Sequence, residues 1–274
     1  MTVAKNIRDY QSFSSLNTYM NCNLQYYFRY VEGIKTPPAV AMIRGTAGHK
    51  GNEVNYKQKI TSFVDLPESD VLDATRDKFN TESKFVEDWG DDKKDVVESR
   101  LLTLMKVVHK ELHPLVQPIE VEQQYDITIP FCTLEGIEGH RIMRMYVDVN
   151  AEDGIHDNKY TAKAKSDADA ATDMQLSLYS YGTKVTKVGF DSMVMTKAGK
   201  CYCKSVRAIR TRSDWAKLEI RIPQIIRAIE SGSFYPANPS SWVCSEKFCG
   251  YWNICEQGAK NMNPVHFYIK QSSF

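Results

Sequence analysis

Apolar and aromatic positions recur at helical spacing from Ser12 to Val31, where Leu16, Tyr19, Met20, Tyr26, Tyr27 and Tyr30 follow a run of capping serines. That pattern predicts one or two short helices. After the breaker TPP at 36–38, AMIRGTAGHKGNEVNYKQKI reads as a second helix with His49 and Glu53 four apart on one face. From Glu68 to about His113 the period stays helical, with Phe79, Phe85, Trp89, Val97, Leu101, Leu104, Met105 and Val108 as buried candidates, and Pro114 and Pro118 close the run. Residues 60–115 are thus expected to form a helical lobe. The period then changes to two: residues 121–129, 137–150 and 154–162 predict strands. A polar stretch leads into the helix MQLSLYSYG; strands follow near 187–196 and 201–210, then a helix from about Ser213 to Ser231 and a cysteine-rich tail. Helices flanking a mixed central sheet define an α/β (α+β) chain, expected to be a single domain over 1–274.

Composition changes this picture little. With 42% hydrophobic and 25% charged residues, the chain can bury a core without covalent staples. Its 35 basic and 34 acidic side chains nearly cancel, so a polyanionic partner must meet a local basic surface. No apolar run reaches the length of a membrane span, and the first residues lack a signal-peptide pattern, which predicts a soluble cytoplasmic protein without membrane partners. Seven cysteines, Cys22, Cys132, Cys201, Cys203, Cys244, Cys249 and Cys255, argue in that compartment for metal binding, catalysis or packing and against a disulfide framework. Three of them fall in WVCSEKFCGYWNIC at 242–255.

The hairpin within MYVDVNAEDGIHDNKYTA carries the candidate chemistry. Asp153-Gly154 is a strong two-residue turn signal, and a turn there sets Asn150 opposite Asp157 and Asp148 opposite Lys159. Opposed residues, and residues two apart on one strand, share a face, so Asp148, Asp157 and Lys159 project together. Two carboxylates at that spacing can share a divalent cation, with the Asn158 backbone carbonyl completing the shell; hard oxygen donors of this kind suit Mg²⁺ or Mn²⁺. Three convergent charges beside a tight turn also describe a surface salt-bridge cluster, and the hairpin alone leaves both readings open.

With these residues in place, the chain resembles the PD-(D/E)xK nuclease superfamily, in particular the RecB-like branch that includes phage-type exonucleases, CRISPR-associated RecB-like nucleases and the AddB nuclease domain. The resemblance runs through SFSSLNTYMNCNLQYYFRYVEGI, through GTAGH, which implies His49 as a metal ligand, and through Asp148 and the D-x-K of Asp157 and Lys159. It continues in QLSLY, where Gln175 and Tyr179 match a Q-x-x-x-Y helix; four apart, both reach one side of the helix, a spacing that serves contact with a phosphate or the attacking water and equally serves core packing. It implies a restriction-endonuclease-like fold and hydrolysis of DNA phosphodiesters, exonucleolytic at ends or on single strands, with Asp148, Asp157, Lys159, Gln175 and Tyr179 in catalysis. Phage or prokaryotic recombination and DNA processing in a bacterial cell is the implied setting, with recombination or replication proteins as partners and ring-like oligomers among relatives.

Members with a C-terminal cysteine triplet use it with one distant N-terminal cysteine to hold a [4Fe–4S] cluster, which implies Cys22, Cys244, Cys249 and Cys255 in a cluster-binding segment at 236–274. Trp242, Phe248, Tyr251 and Trp252 would then shield the cluster. Zinc is the rival occupant, although zinc sites typically draw their ligands in close pairs and Cys22 stands about 220 residues upstream. The chain departs from the family pattern at Met145, where many relatives place glycine, and at Tyr160, where threonine commonly follows the lysine. Glu122 is read as a structural charge, and His140, His156, Cys132, Cys201 and Cys203 as structural. Two competing functions are a catalytically idle DNA-end-binding subunit of a recombination, replication or CRISPR adaptation complex, and a zinc-stabilised interaction protein.

Overall fold

A computed structural model describes residues 8–255; the part of the C-terminal segment from 256 on lies outside the described residues. The chain opens with β1 (Tyr10–Gln11), α1 (Phe13–Asn21) and α2 (Asn23–Tyr26), which continues as a π-helical turn over Tyr27–Val31. Ser12 starts α1 with a capping box: its hydroxyl accepts from the Ser15 N–H, and the Ser15 hydroxyl accepts from the Ser12 N–H. Three longer helices follow, α3 (Val40–Ser62), α4 (Glu68–Glu82) and α5 (Lys94–Glu111), then β2 (Pro118–Cys132), β3 (Glu138–Ala151) and β4 (Gly154–Thr161). The rest comprises α6 (Asp167–Thr172), α7 (Met174–Thr183), β5 (Lys187–Met195), β6 (Cys201–Ile209) and α8 (Arg212–Glu230). The predicted elements are all present. Phe85, expected in the core, is exposed, because α4 ends before it in a short 3-10 turn.

The strands form one six-stranded mixed sheet in the order β1-β3-β4-β5-β6, with β2 also paired to β3. β4 runs antiparallel to β3 and parallel to β5, and β6 closes antiparallel on β5. By contacts the chain divides into two compact units. Within the described residues, one comprises 8–36, 128–143 and 220–255; the other comprises 37–127 and 144–219. In the second, Ile43, Tyr56, Phe79, Leu101, Met105 and Val108 from α3 to α5 pack with Val149 and Met193 of the sheet in one core.

The hairpin differs from expectation in a telling way. Ala151 pairs with Gly154 and Val149 with His156, so the turn is centred on Glu152-Asp153, not on Asp153-Gly154. Gly154 is needed for another reason: its φ is +132°, and a Cβ there would lie 2.5 Å from the Lys187 carbonyl of β5. The register moves by two residues, and because strand side chains alternate with period two, every side chain keeps its expected face.

β4 is polar yet almost fully buried, carrying His156, Asp157 and Asn158 at 1–3% exposure. On one face, His156 Nδ1 lies 2.6 Å from Asp191 and its Nε2 lies 2.7 Å from Asp153, while Arg207 donates to Asp191 at 2.8 Å. Burial alone would raise the Asp191 pKa, but His156 and Arg207 hold it far below the ordinary carboxylate range. The stabilisation from this carboxylate is therefore complete above about pH 4 and is lost as pH falls through the lowered folded-state value. Asp191→Asn is expected to cost about 3 kcal/mol at neutral pH, and to remove part of the wild-type loss of stability below about pH 4; urea denaturation across pH measures both.

Candidate active site

The opposite face of β4 presents Asp157 and Lys159 toward Asp148 of β3. The Lys159 ammonium is in direct contact with Asp157 Oδ2, and Asp148 Oδ2 accepts the Asn158 N–H at 2.7 Å. Asp157 is buried and Asp148 half-buried, and both are shifted upward by desolvation, with Lys159 opposing the shift. Burial works against the charge on Lys159, but Asp157, and behind it Asp148, keep its pKa above the usual lysine value. Lys159 donates to Gln175 Oε1 at 3.3 Å, and Gln175 donates to the Tyr179 hydroxyl at 2.7 Å. Gln175 and Tyr179 lie one turn apart on α7, which lets both side chains reach the same place. All five predicted catalytic side chains are brought to one locality.

His49 reaches this face from α3, with Nδ1 3.6 Å from Asp148 and 4.0 Å from Glu122. Burial pushes its pKa down to about 4, leaving a neutral imidazole at physiological pH, the form that ligates metals. The Asn158 carbonyl lies against the same ring. Among the described residues, His49, Glu122 and Asp148 offer one donor atom each within 4.8 Å of one another, whereas Asp157 lies outside that trio, facing Lys159.

Glu122 was read from sequence as a structural charge. The structure places it in the donor group, through a feature alternation cannot reveal: within β2 it adopts φ +52°, the left-handed region that non-glycine residues rarely enter. Such strain costs about 1–3 kcal/mol and persists where the surroundings enforce it. Burial, then Asp148, pushes the Glu122 pKa up to about 8. Asp148 and Asp157 thus share one ammonium, that of Lys159, and Glu122 joins Asp148 from the side of His49. That shortage of positive charge, with neutral imidazole and oxygen donors, fits a hard divalent cation.

The two departures from the family pattern are each matched by a glycine on the facing helix. Tyr160 occupies the space beside Gly48, where an added Cβ would come within 2.2 Å of the ring; Met145 occupies that beside Gly182, at 2.0 Å from its terminal methyl. Neither departure displaces the acidic groups.

A second cluster is built from the unit that contains both ends of the described chain. Cys22 lies in the break between α1 and α2, its N–H bonded to Thr18. Leu24, Phe28, Tyr251 and Cys255 form a buried apolar group against which Cys22, Tyr27 and Cys249 pack. Burial, then the thiols of Cys22 and Cys244, raises the Cys249 pKa, which places Cys244 in the same neighbourhood. Short turns fold the loop, including Cys249 N–H to the Ser245 carbonyl at 2.8 Å, and the Tyr251 hydroxyl donates to the Ile34 carbonyl at 2.9 Å. The expected aromatic shield is corrected in part. Trp242 and Phe248 are exposed, at 68% and 56%, and pack edge-to-face on each other, because the turns direct them outward; Tyr251, with Leu24 and Phe28, takes the inner positions. Cys132, Cys201 and Cys203 lie half-buried on strands, Cys201 and Cys203 against the core of the second unit.

The sequence profile of the PD-(D/E)XK nuclease superfamily matches residues 10–256. The chain belongs to that superfamily. Among solved structures it is similar to a presumptive exonuclease from Eubacterium rectale, with a TM-score of 0.51 and 12% identity over 97% of this chain and 94% of that one, a likeness of fold. SSO0001 aligns at TM-score 0.36 and 14% identity over 89% and 95% of the two chains, too distant to carry an argument. No curated protein matches the sequence. Among the described residues no helix is long and apolar enough to cross a membrane.

Gly48→Ala is expected to destabilise the nuclease by about 1–3 kcal/mol, because a rigid tyrosine ring must move. Gly182→Ala should cost less than about 1 kcal/mol, because the methionine tip can swing aside. In a Tyr160→Ala background the Gly48→Ala penalty shrinks; thermal denaturation of the double-mutant cycle measures the coupling.

Proposed function

We propose that the chain is a divalent-metal-dependent deoxyribonuclease of the RecB-like branch, acting exonucleolytically on DNA ends or single strands in phage or prokaryotic DNA processing. The observation that carries the reading is the convergence of Lys159, Asp157 and Asp148 on one face of a buried strand, with His49 and Glu122 closing around Asp148. The superfamily match supports hydrolysis of nucleic-acid phosphodiesters, and the name of the Eubacterium rectale relative supports the exonucleolytic direction.

Asp148, Asp157, His49, Glu122 and the Asn158 carbonyl are the groups that would hold Mg²⁺ or Mn²⁺. When bound, the cation supplies Lewis-acid polarisation of the scissile phosphate and lowers the pKa of the attacking water. Lys159, charged and held against Asp157, donates to the water or to charge building on the phosphate. Gln175 fixes the Lys159 amine, and Tyr179 fixes Gln175, so the ammonium meets the substrate in a set direction. An idle, DNA-end-binding role is the weaker reading, since a buried carboxylate group short of positive charge is costly to keep without a cation to bind.

We read the cysteine group as a [4Fe–4S] site of Cys22, Cys244, Cys249 and Cys255: Cys22, Cys249 and Cys255 border one apolar wall, and Cys244 lies near Cys22 and Cys249. Zinc is the alternative occupant. The cluster would clip these two segments together, with recombination or replication proteins as partners and oligomeric assembly open to test.

End-labelled DNA incubated with Mn²⁺ is expected to be degraded by the wild type and not with EDTA; Lys159→Ala and Asp157→Asn should each lose at least about 100-fold in rate. Intact DNA in the wild-type reaction would refute the enzymatic reading. Protein purified without oxygen should absorb near roughly 400 nm, with the band lost in Cys22→Ser; a colourless protein carrying one zinc per chain would exclude the cluster.

A further inference from the structure

Arg8, Arg29 and Lys35 line one cavity of about 440 Å³ together with Tyr30 and Tyr251, and no acidic residue lines it. The neighbouring acids in sequence, Asp9 and Glu32, are not among its walls, and the Glu32 carboxylate is engaged by the Tyr27 hydroxyl. Elsewhere in the chain, buried or half-buried cations are commonly balanced: Lys59 by Asp65, Arg141 by Glu230, Arg207 by Asp191. Arg29 and Lys35 are exposed and Arg8 is half-buried, and none of the three forms an ion pair among the described residues.

Two of them converge on one ring. The Arg8 guanidinium lies 4.2 Å from the Tyr10 centroid, contacts the Tyr10 hydroxyl and lies 5.2 Å from the Tyr30 centroid, and that of Arg29 lies 5.4 Å from the Tyr30 centroid, distances at which each gains cation–π attraction. Three cationic side chains lining one cavity, without a carboxylate in its wall, favour an anion there. The backbone that presents Arg29 and Tyr30 is the π-helical turn at Tyr27–Val31, an uncommon conformation enriched at functional positions. Tyr251 forms the floor, its hydroxyl held by the Ile34 carbonyl. The walls therefore offer guanidinium forks that suit phosphate and an aromatic face that suits a base, in a volume within the range of nucleotide sites.

We propose that this cavity is a second nucleic-acid contact, distinct from the cleavage residues, in which Arg8, Arg29 and Lys35 grip backbone phosphates of a DNA strand and Tyr30 stacks on a base. The assignment of DNA as the strand rests on the nuclease reading above. The contact is electrostatic and independent of base sequence, so it sets affinity and hold on the strand, not the chemical step.

The test is binding of a fluorescent 20-nucleotide single strand to the full chain in EDTA, measured over a range of salt concentrations. Arg29→Gln/Lys35→Gln is expected to weaken binding about tenfold and to flatten the slope of log affinity against log salt by about 1.4, which is two phosphate contacts; Arg8→Gln should flatten it by about 0.7. Unchanged thermal denaturation shows that the variants are folded, and in the Mn²⁺ assay they should raise KM while leaving kcat in place. An unchanged slope and affinity in the double variant would overturn the proposal even though the wild type cleaves DNA. Displacement of the strand by inorganic phosphate at equal phosphate concentration would instead assign the cavity to free phosphate and equally overturn it. Failure of the nuclease reading shows itself separately, as intact DNA in the wild-type Mn²⁺ reaction with the salt-slope comparison unaffected.

Discussion

The contact between Lys159 and Asp157 in the interior of the sheet is the constraint around which the second unit is organised. A central strand is normally apolar, because burying charge without a partner costs several kcal/mol. β4 instead carries His156, Asp157, Asn158 and Lys159, and each face has a different remedy. One is neutralised inside the protein by Asp153, Asp191 and Arg207, and it behaves as structure. The other is left short of positive charge, with Glu122, Asp148 and His49 drawn toward the same point. The contrast across one strand separates the scaffold from the chemistry.

Much of this was legible in the amino-acid pattern because the relevant periods are short. The faces of Asp148, Asp157 and Lys159 follow from alternation, and they survive a hairpin whose turn sits one residue earlier than its Asp-Gly signal suggested. That signal misled because Gly154 answers to its neighbour on β5 as well as to the turn. His49 and the Gln175–Tyr179 pair are also visible as helix spacings, although their convergence with the strand residues depends on tertiary packing.

What could not be read was set by backbone excursions and by which face of a loop turns outward. Glu122 enters the group through a left-handed residue in a strand, for which a Val-Glu-Gln-Gln sequence carries no warning. Trp242 and Phe248 lie beside cysteines in the chain, yet the inner wall is completed by Leu24 and Phe28 from a helix more than 200 residues earlier. Met145 and Tyr160 look like losses against the family pattern until the facing glycines, Gly182 and Gly48, are seen to leave room for them.

The first unit draws on three separated stretches of the described chain, at 8–36, 128–143 and 220–255. Contacts of such long sequence separation form slowly, because loop closure must precede any gain from packing. During synthesis the N-terminal helices would wait, with Leu24, Phe28 and Cys22 uncovered, until Tyr251 and Cys255 leave the ribosome, whereas α3 to α5 have their partners nearer at hand. The newborn chain thus passes through an interval in which half of a thiol-rich apolar wall is open to oxidants and to chaperones, and any insertion of a metal group into it must await the synthesis of Cys255.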